Sequence, residues 1–292
     1  MKSLHLCFGL MACLWLAGPL SVHAGDAAAC KIVLVAGETA KVDVVGHHDY
    51  LAGCECLETL LRQTKGVETV RVNEGWPQEE SVFDGASAIV FYTDGGGKQA
   101  FLSSPERTGK LQAMVDAGVG LVMIHQAVDF PEEVAAQATR WLGGIYRTGV
   151  SGRGHWPSNH IEFPNHAITQ GVTPWKIKDG WLNGIQFVEG MQGVTPLVWS
   201  GKDYEESRAG VDEHIVAWTY ERPGGGRSFS FTGLDAHSAW SLPGMRQLVV
   251  NGILWSAGAT IPNQGAPCQI DDAALEAMQT PREPKPATQP KP

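Results

Sequence analysis

The sequence lacks the marks of several common protein classes. Its formal net charge is −9 and its isoelectric point is about 5.5, so it offers no basic face to a nucleic-acid backbone. It contains no HExxH, CxxC or GxxxxGK[ST] sequence, the usual motifs of zinc proteases, zinc fingers and phosphate-binding loops. We therefore expect no nucleic-acid partner and no nucleotide cofactor.

The chain has little long apolar sequence, and the longest such run lies near its first residue. Met1 and Lys2 precede an apolar run over residues 4–17, and Val22-His23-Ala24 supplies the small residues that a signal peptidase reads. The run is too short to span a bilayer comfortably. We predict a signal peptide over residues 1–24, cleaved after Ala24, a periplasmic or secreted protein, and no stable membrane span after processing.

Cysteine is also scarce, and two of the six cysteines lie within the predicted signal peptide. Four then remain in an oxidising compartment: Cys30, Cys54, Cys56 and Cys268. Cys30 precedes the first predicted strand, and Cys268 follows a last helix that should run back to that end of the sheet. We predict a Cys30–Cys268 disulfide and expect Cys54 and Cys56 to be buried thiols.

What the sequence does contain is an alternation of apolar strands and amphipathic helices. Strands are predicted over residues 31–36, 67–72, 87–92 and 121–124, and helices over 51–64, 105–117, 131–142 and 246–256. This succession predicts an α/β fold with a doubly wound parallel sheet. Residues 145–213 read as an inserted region of short strands, and residues 215–220 and 227–232 as a hairpin. The proline-rich stretch 260–292 is expected to be a disordered tail or an extended spacer.

The most informative single position is His125, at the end of the buried run LVMI. In open α/β sheets the ligand crevice lies outside the carboxyl ends of the strands, so a histidine there is placed for chemistry. The alternative is a structural histidine that forms a backbone hydrogen bond in the next turn. We favour the functional interpretation.

Other ionisable residues follow other predicted strands. His47, His48 and Asp49 come after the first strand, Asp94 after the third, and Asp235 and His237 after the strand RSFSFTG. Because strands of one parallel sheet end at a common edge, these side chains should meet there. We predict a divalent cation, zinc first, held by His48, His125 and His237. The alternative is a cleft lined by hydrogen-bonded polar side chains, and Asp49 has the further alternative of capping the next helix.

Six ordered segments resemble the ThuA-like (trehalose utilisation) family. They are GHHDYLAGCECLETLL, FYTDGGGKQAF, GVGLVMIHQAVDFP, HAITQGVTPWKI, VAWTYERPGGGRSFSFTG and LVVNGILWSAG. The resemblance covers residues 31–259. It implies a flavodoxin-like fold similar to class I glutamine amidotransferases, and a role in carbohydrate metabolism around disaccharides oxidised to 3-keto glycosides.

The sequence departs from these relatives at informative positions. Glutamine amidotransferases need a cysteine directly after the central strand, and this chain has His125 there, so we expect no glutamine hydrolysis. His237 matches a histidine of the family, whereas Asp235 stands where relatives tend to have a second one. The segment KDGWLNGIQF, with Asp179 and Trp181, matches only in part.

From these residues we predict an enzyme acting on a small-molecule carbohydrate. Catalysis is assigned to His125, His237 and Asp235 by metal- or histidine-assisted acid/base cleavage of glycosides or 3-keto glycosides. Substrate binding is assigned to His48, Asp94, Trp156, Trp181 and Trp240, the indoles serving as stacking surfaces for sugar rings. The alternative is a noncatalytic sugar-binding module.

Overall fold

The computed structural model describes residues 29–38, 46–201 and 210–281. The predicted signal peptide, its cleavage site and residues 282–292 lie outside these ranges. The strands are β1 Cys30–Ala36, β2 Val67–Val72, β3 Ala88–Tyr92, β4 Gly120–Ile124, β5 Gly144–Ile145, β6 Gly152–His160, β7 Trp175–Asn183, β8 Gln186–Phe187, β9 Val194–Trp199, β10 Ile215–Glu221 and β11 Arg227–Phe231. The α-helices are α1 Tyr50–Leu61, α2 Pro105–Asp116, α3 Glu132–Leu142, α4 Pro243–Ser256 and α5 Asp272–Met278.

The central sheet has seven strands in the order β2-β1-β3-β4-β11-β10-β9. The pairings from β2 through β11 are parallel, whereas β10 is antiparallel to both β11 and β9. β3 and β4 are buried at every residue, which explains their unbroken apolar sequences. The predicted parallel-dominant α/β sheet is confirmed, with the predicted hairpin forming its antiparallel end.

Helices cover both faces of the sheet. Residues of α1 and α4 belong to one buried cluster, and residues of α2 and α3 to the other. Local sequence sets the helix ends: the Ser104 side chain accepts a hydrogen bond from the Arg107 N–H before α2, and Gly143 adopts φ 72° after α3. Both are residue types that cap helices, and they lie at the ends of the helices predicted over residues 105–117 and 131–142.

The inserted region forms two small antiparallel pairs, β6 with β7 and β5 with β8. In the first pair His155 lies opposite Gly180, and Gly154 opposite Trp181. β9, by contrast, joins the edge of the central sheet. The region of short strands is therefore present, and its longest hairpin lies beside the carboxyl ends of the central strands.

The structure corrects the prediction of a tail without structure, over the part that it describes. After α4 the chain packs back on the protein, burying Ala266, Cys268 and Leu275, and residues 272–278 form α5. The Gln247 side chain on α4 donates to the Ala266 carbonyl at 2.9 Å. A few apolar side chains in a polar, proline-rich stretch are enough to dock it on an existing core.

The predicted Cys30–Cys268 disulfide is wrong in this structure, since all four described cysteines are free thiols. Cys268 donates its S–H to Gln247 Oε1 on α4 at 3.3 Å. The returning chain thus follows α4 and does not bring Cys268 to the start of β1. Cys54 and Cys56 are buried thiols as predicted, and burial raises the pKa of Cys56 to about 12.

Within the described ranges, no helix combines the length and the apolar character needed to cross a membrane.

Candidate functional site

Asp235 lies at the centre of the site, on the loop that follows β11. The carboxylate of Asp179 on β7 fixes this loop by accepting backbone hydrogen bonds from Leu234 at 2.7 Å and Ala236 at 3.1 Å. Leu234 adopts a left-handed φ of 68°, a conformation that costs energy and needs such support. Burial raises the pKa of Asp179. Asp179, on the hairpin formed by β6 and β7, thus fixes the position of Asp235 on the loop that follows a strand of the central sheet.

Four imidazoles approach the carboxylate of Asp235. His48 Nε2 lies 2.8 Å from Oδ1, and His125 Nε2 lies 3.3 Å from the same oxygen. His47 Nδ1 lies 2.9 Å and His155 Nε2 2.6 Å from Oδ2. Each carboxylate oxygen therefore faces its own pair of histidines.

His125 forms the floor of the site. It follows β4 directly, adopts a left-handed φ of 57°, and is only 2% exposed. Its Nδ1 lies 3.0 Å from the Thr232 carbonyl oxygen, which can only accept, so Nδ1 carries a proton and Nε2 is the nitrogen that faces Asp235. Nε2 and Asp235 Oδ1 are buried without a well-aligned hydrogen bond among the described residues. An imidazole nitrogen and a carboxylate oxygen placed in this way can both serve as ligands to a cation.

His48 comes from the loop before α1 and is oriented on both sides. Its Nδ1 faces Asp94 Oδ1 at 3.6 Å, and its ring stacks on Tyr50 with 5.8 Å between centroids. The Tyr50 hydroxyl donates to Asp94 at 2.6 Å. Gln126 Nε2 lies 3.2 Å from His48 Nε2. In both His125 and His48, Nδ1 faces an oxygen acceptor while Nε2 faces Asp235. This arrangement is usual for a histidine that binds a metal.

The Asp235 carboxylate is ionised. Burial by itself raises its pKa, but the neighbouring imidazoles of His125, His48 and His47 outweigh burial and hold that pKa far below its usual range. The site therefore places one negative charge among four imidazoles.

An open cleft of about 270 Å³ leads to these groups. It is lined by His48, His125, Gln126, Arg153, Gly154, His155, Gly180, Trp181, Leu182 and Asp235. Gly180 is required by close approach, because a Cβ there would lie 2.6 Å from Asp235 Oδ2. The half-exposed Arg153 reaches Asp129 at 3.7 Å across the mouth.

The residues fit a divalent cation in two places. One ligand atom from each of His48, His125 and Asp235 lies within 4.8 Å of the others, and the same holds for His47, His155 and Asp235. Imidazole nitrogen and carboxylate oxygen are the donors that zinc and related cations take.

His125, His48 and Asp235 meet as predicted, and Asp94 adjoins them. His237 does not join them, which corrects its assignment as a catalytic residue and metal ligand. Its Nε2 lies 2.9 Å from the Leu275 carbonyl on α5, and its N–H donates to the Gly46 carbonyl at 2.6 Å. The turn after Asp235 directs this side chain to the docked carboxyl-terminal segment, away from the cleft.

The three tryptophans predicted to stack on sugars are buried. Trp156 donates its indole N–H to Ser200 Oγ at 2.9 Å, and Trp240 packs on Tyr92. Trp181 donates its indole N–H to the Trp156 carbonyl at 3.2 Å and is one of the residues that line the cleft. Trp156 and Trp240 are core side chains that do not line the cleft, which corrects their assignment as stacking surfaces, whereas Trp181 is buried but lines the cleft.

Sequence reasoning missed His155 and Gln126. Gln126 follows His125, where only the sharp left-handed turn brings it to His48. His155 approaches Asp235 because β6 pairs with β7 in one particular register. The only sequence signal for His155 was its place in an extended segment beside Gly154. That signal does not give the register in which β6 pairs with β7.

Comparison with known proteins identifies a family and a fold for the chain. A family model described as ThuA, trehalose utilisation, matches residues 32–256. Solved structures of ThuA-like proteins from Parabacteroides merdae and Bacteroides uniformis superpose with TM-scores of 0.55 and 0.56, at 16% and 13% sequence identity. Each superposition covers 82% of this chain and 95% of the other. No curated protein matches the chain. At such low identity the structures show the shared fold, the class I glutamine amidotransferase-like fold.

Proposed function

The chain belongs to the ThuA, trehalose utilisation, family, and we propose that it is an enzyme that cleaves glycosides, 3-keto glycosides among them, in the cleft around Asp235. The observation that carries this proposal is the convergence of His48, His125 and Asp235, whose ligand atoms lie within 4.8 Å of one another beside an open cleft. Titratable groups that converge beside a cleft in this way are typical of functional sites.

His48, His125 and Asp235 would hold a divalent cation, zinc being the first candidate. When bound, such a cation polarises a sugar carbonyl and lowers the pKa of a water molecule. His125 contributes through Nε2, because its Nδ1 proton is committed to the Thr232 carbonyl. This role differs from the sequence-based expectation that His125 itself moves a proton.

The polar groups of the cleft mouth would bind the sugar. The guanidinium of Arg153 and the amide of Gln126 can donate to hydroxyl groups, and Trp181 and Leu182 provide a small apolar wall. The cleft is open, which suits a substrate of which only one ring needs to reach the floor.

A paired measurement of cation content and turnover tests the proposal. We expect near-stoichiometric zinc in the purified protein and turnover of a 3-keto glycoside. His125→Asn should lose this cation, and turnover should fall more than about 100-fold, beyond the range for loss of a hydrogen-bond partner of a metal ligand. Asn is chosen because it tolerates the left-handed backbone at this position.

His166→Ala is the matched control, since this histidine packs against Trp255, away from the cleft. It should leave cation content and turnover unchanged. If the protein retains its cation and binds sugar saturably but shows no turnover, it is a sugar-binding module and not the proposed enzyme. Full turnover in His125→Asn would reject the assignment of the site.

We also propose that the protein is exported, from the Lys2 start, the apolar run and the Val22-His23-Ala24 site. The intact mass of the form recovered from the periplasm or medium should correspond to a chain beginning at Gly25. Recovery of only the full-length chain from the cytoplasm would refute this proposal.

A further inference from the structure

We propose that Asp235 bridges two divalent cations, the second one held by His47 and His155. The inference rests on the proposed function in that the first cation is the one bound by His48 and His125. It adds a separate site on the other oxygen of the same carboxylate.

The division of the four histidines between the two oxygens carries this inference. Oδ1 faces His48 and His125 at 2.8 and 3.3 Å, and Oδ2 faces His47 and His155 at 2.9 and 2.6 Å. A carboxylate that gives one oxygen to each of two cations holds them at the separation of about 3.5–4 Å found in two-metal enzymes. The His47 and His155 rings, with centroids 5.9 Å apart, stand edge to face around Oδ2.

The two sites differ in exposure. His125 and Asp235 have side chains that are 3% exposed, whereas those of His47 and His155 are 39% and 56% exposed. Competition from water is weaker in a buried site, so the inner cation should bind more tightly and the outer one should exchange more readily. With three protein ligands each, both cations keep positions open for substrate oxygens.

Hydrogen bonding alone offers another explanation for the outer pair. In that case Oδ2 accepts one hydrogen bond from His47 Nδ1 and another from His155 Nε2, and no second cation is needed. The two explanations differ in the number of cations that the protein binds and in how that number responds to single substitutions.

Cobalt(II) binding to the purified, chelator-treated full protein decides between them, measured by equilibrium dialysis and by the visible spectrum of the bound ion. We expect two cations per chain in the wild type. His155→Ala should retain one, with at least about a tenfold loss of affinity in the outer site. His125→Asn should lose the inner cation, and Asp235→Asn should lose both. His166→Ala should still bind two.

The outcomes separate this inference from the proposed function. One cation in the wild type, retained in His155→Ala, would overturn the second site and leave the proposed function standing. No cation in the wild type would overturn both. Two cations in both the wild type and His155→Ala would overturn the assignment of His155. Since the His155 side chain is more than half exposed, its removal should leave the near-ultraviolet circular dichroism unchanged.

Discussion

The floor and the rim of the cleft are built in different ways. The floor, defined here as His125, Asp235 and Asp179, is almost completely buried and stands on the tips of central strands and on β7. The rim, defined as His47, His48, Arg153 and His155, comes from the loop before α1 and from β6, and it is largely exposed. The floor is therefore fixed by packing of the whole domain, whereas the rim depends on a few local contacts.

This difference indicates where substitutions act. A change in the floor alters buried charges and strained backbone, so it should affect cation binding and stability together. A change in the rim or in its supports should affect one of these properties more than the other. The following predictions test that distinction.

The largest effect is expected from Asp179→Ala. This substitution leaves the N–H groups of Gly180, Leu234 and Ala236 without their acceptor. Loss of several buried hydrogen bonds to one carboxylate should cost about 3–5 kcal/mol of unfolding free energy. It should also weaken cobalt binding, because the loop that carries Asp235 loses its support. Urea unfolding and equilibrium dialysis measure the two effects.

Asp179→Asn serves as the comparison for that variant. Asn keeps one acceptor oxygen in the same volume. The losses of unfolding free energy and of cobalt affinity should therefore both be smaller than in Asp179→Ala. If Asp179→Ala unfolds more easily but binds cobalt as the wild type does, Asp179 is a stabilising residue and does not position the site.

The next effect concerns pH and His160, which pairs with Trp175 where β6 ends and β7 begins. His160 is fully buried between Trp175 and Trp181, and neither ring nitrogen has a hydrogen-bond partner among the described residues. Burial lowers its pKa to about 3. The unfolded chain takes up the proton below about pH 6.5 and the folded chain does not, so stability from this group falls as pH falls from 6.5 towards 3.

His160→Phe removes this dependence while keeping a ring in the core. Between pH 7 and pH 5 the wild type should lose about 2 kcal/mol through His160, and the variant should lose that much less. Cation binding at pH 7 should be unchanged. Parallel pH profiles for the two proteins would contradict the neutral, buried state of His160.

The predictable part of the molecule is the part that local pattern determines. Continuous apolar strands and the Ser104 cap identify the sheet and its helices, and strand ends point to His125, His48 and Asp235. The direction of a side chain after a strand is not local, since His125 and His237 both follow strands and only His125 reaches the cleft. Positive φ values and hairpin register decide such cases, and neither can be derived from composition or spacing.

The smallest effect should come from the contact between the carboxyl-terminal segment and the rim. The Asp49 carboxylate caps α1 at Ala52 and accepts two bonds from Thr280, from the backbone N–H at 2.8 Å and from Oγ1 at 2.6 Å. Asp49 directly follows His47 and His48, so Thr280 supports the loop that carries them. Thr280→Val keeps the side-chain shape and the N–H bond but removes the hydroxyl. We expect the free energy of unfolding to fall by about 1–2 kcal/mol.

Because this loop supplies one ligand to each proposed cation, Thr280→Val should weaken cobalt binding only a few-fold, with no change in the number of ions bound. Thr59→Val on the exposed surface of α1 is the matched control, since it removes a hydroxyl bonded to the Glu55 carbonyl within the same helix. The control should change stability by less than about 0.5 kcal/mol and leave cobalt affinity unchanged. Equal effects of the two substitutions would show that the carboxyl-terminal segment packs on the rim without ordering it.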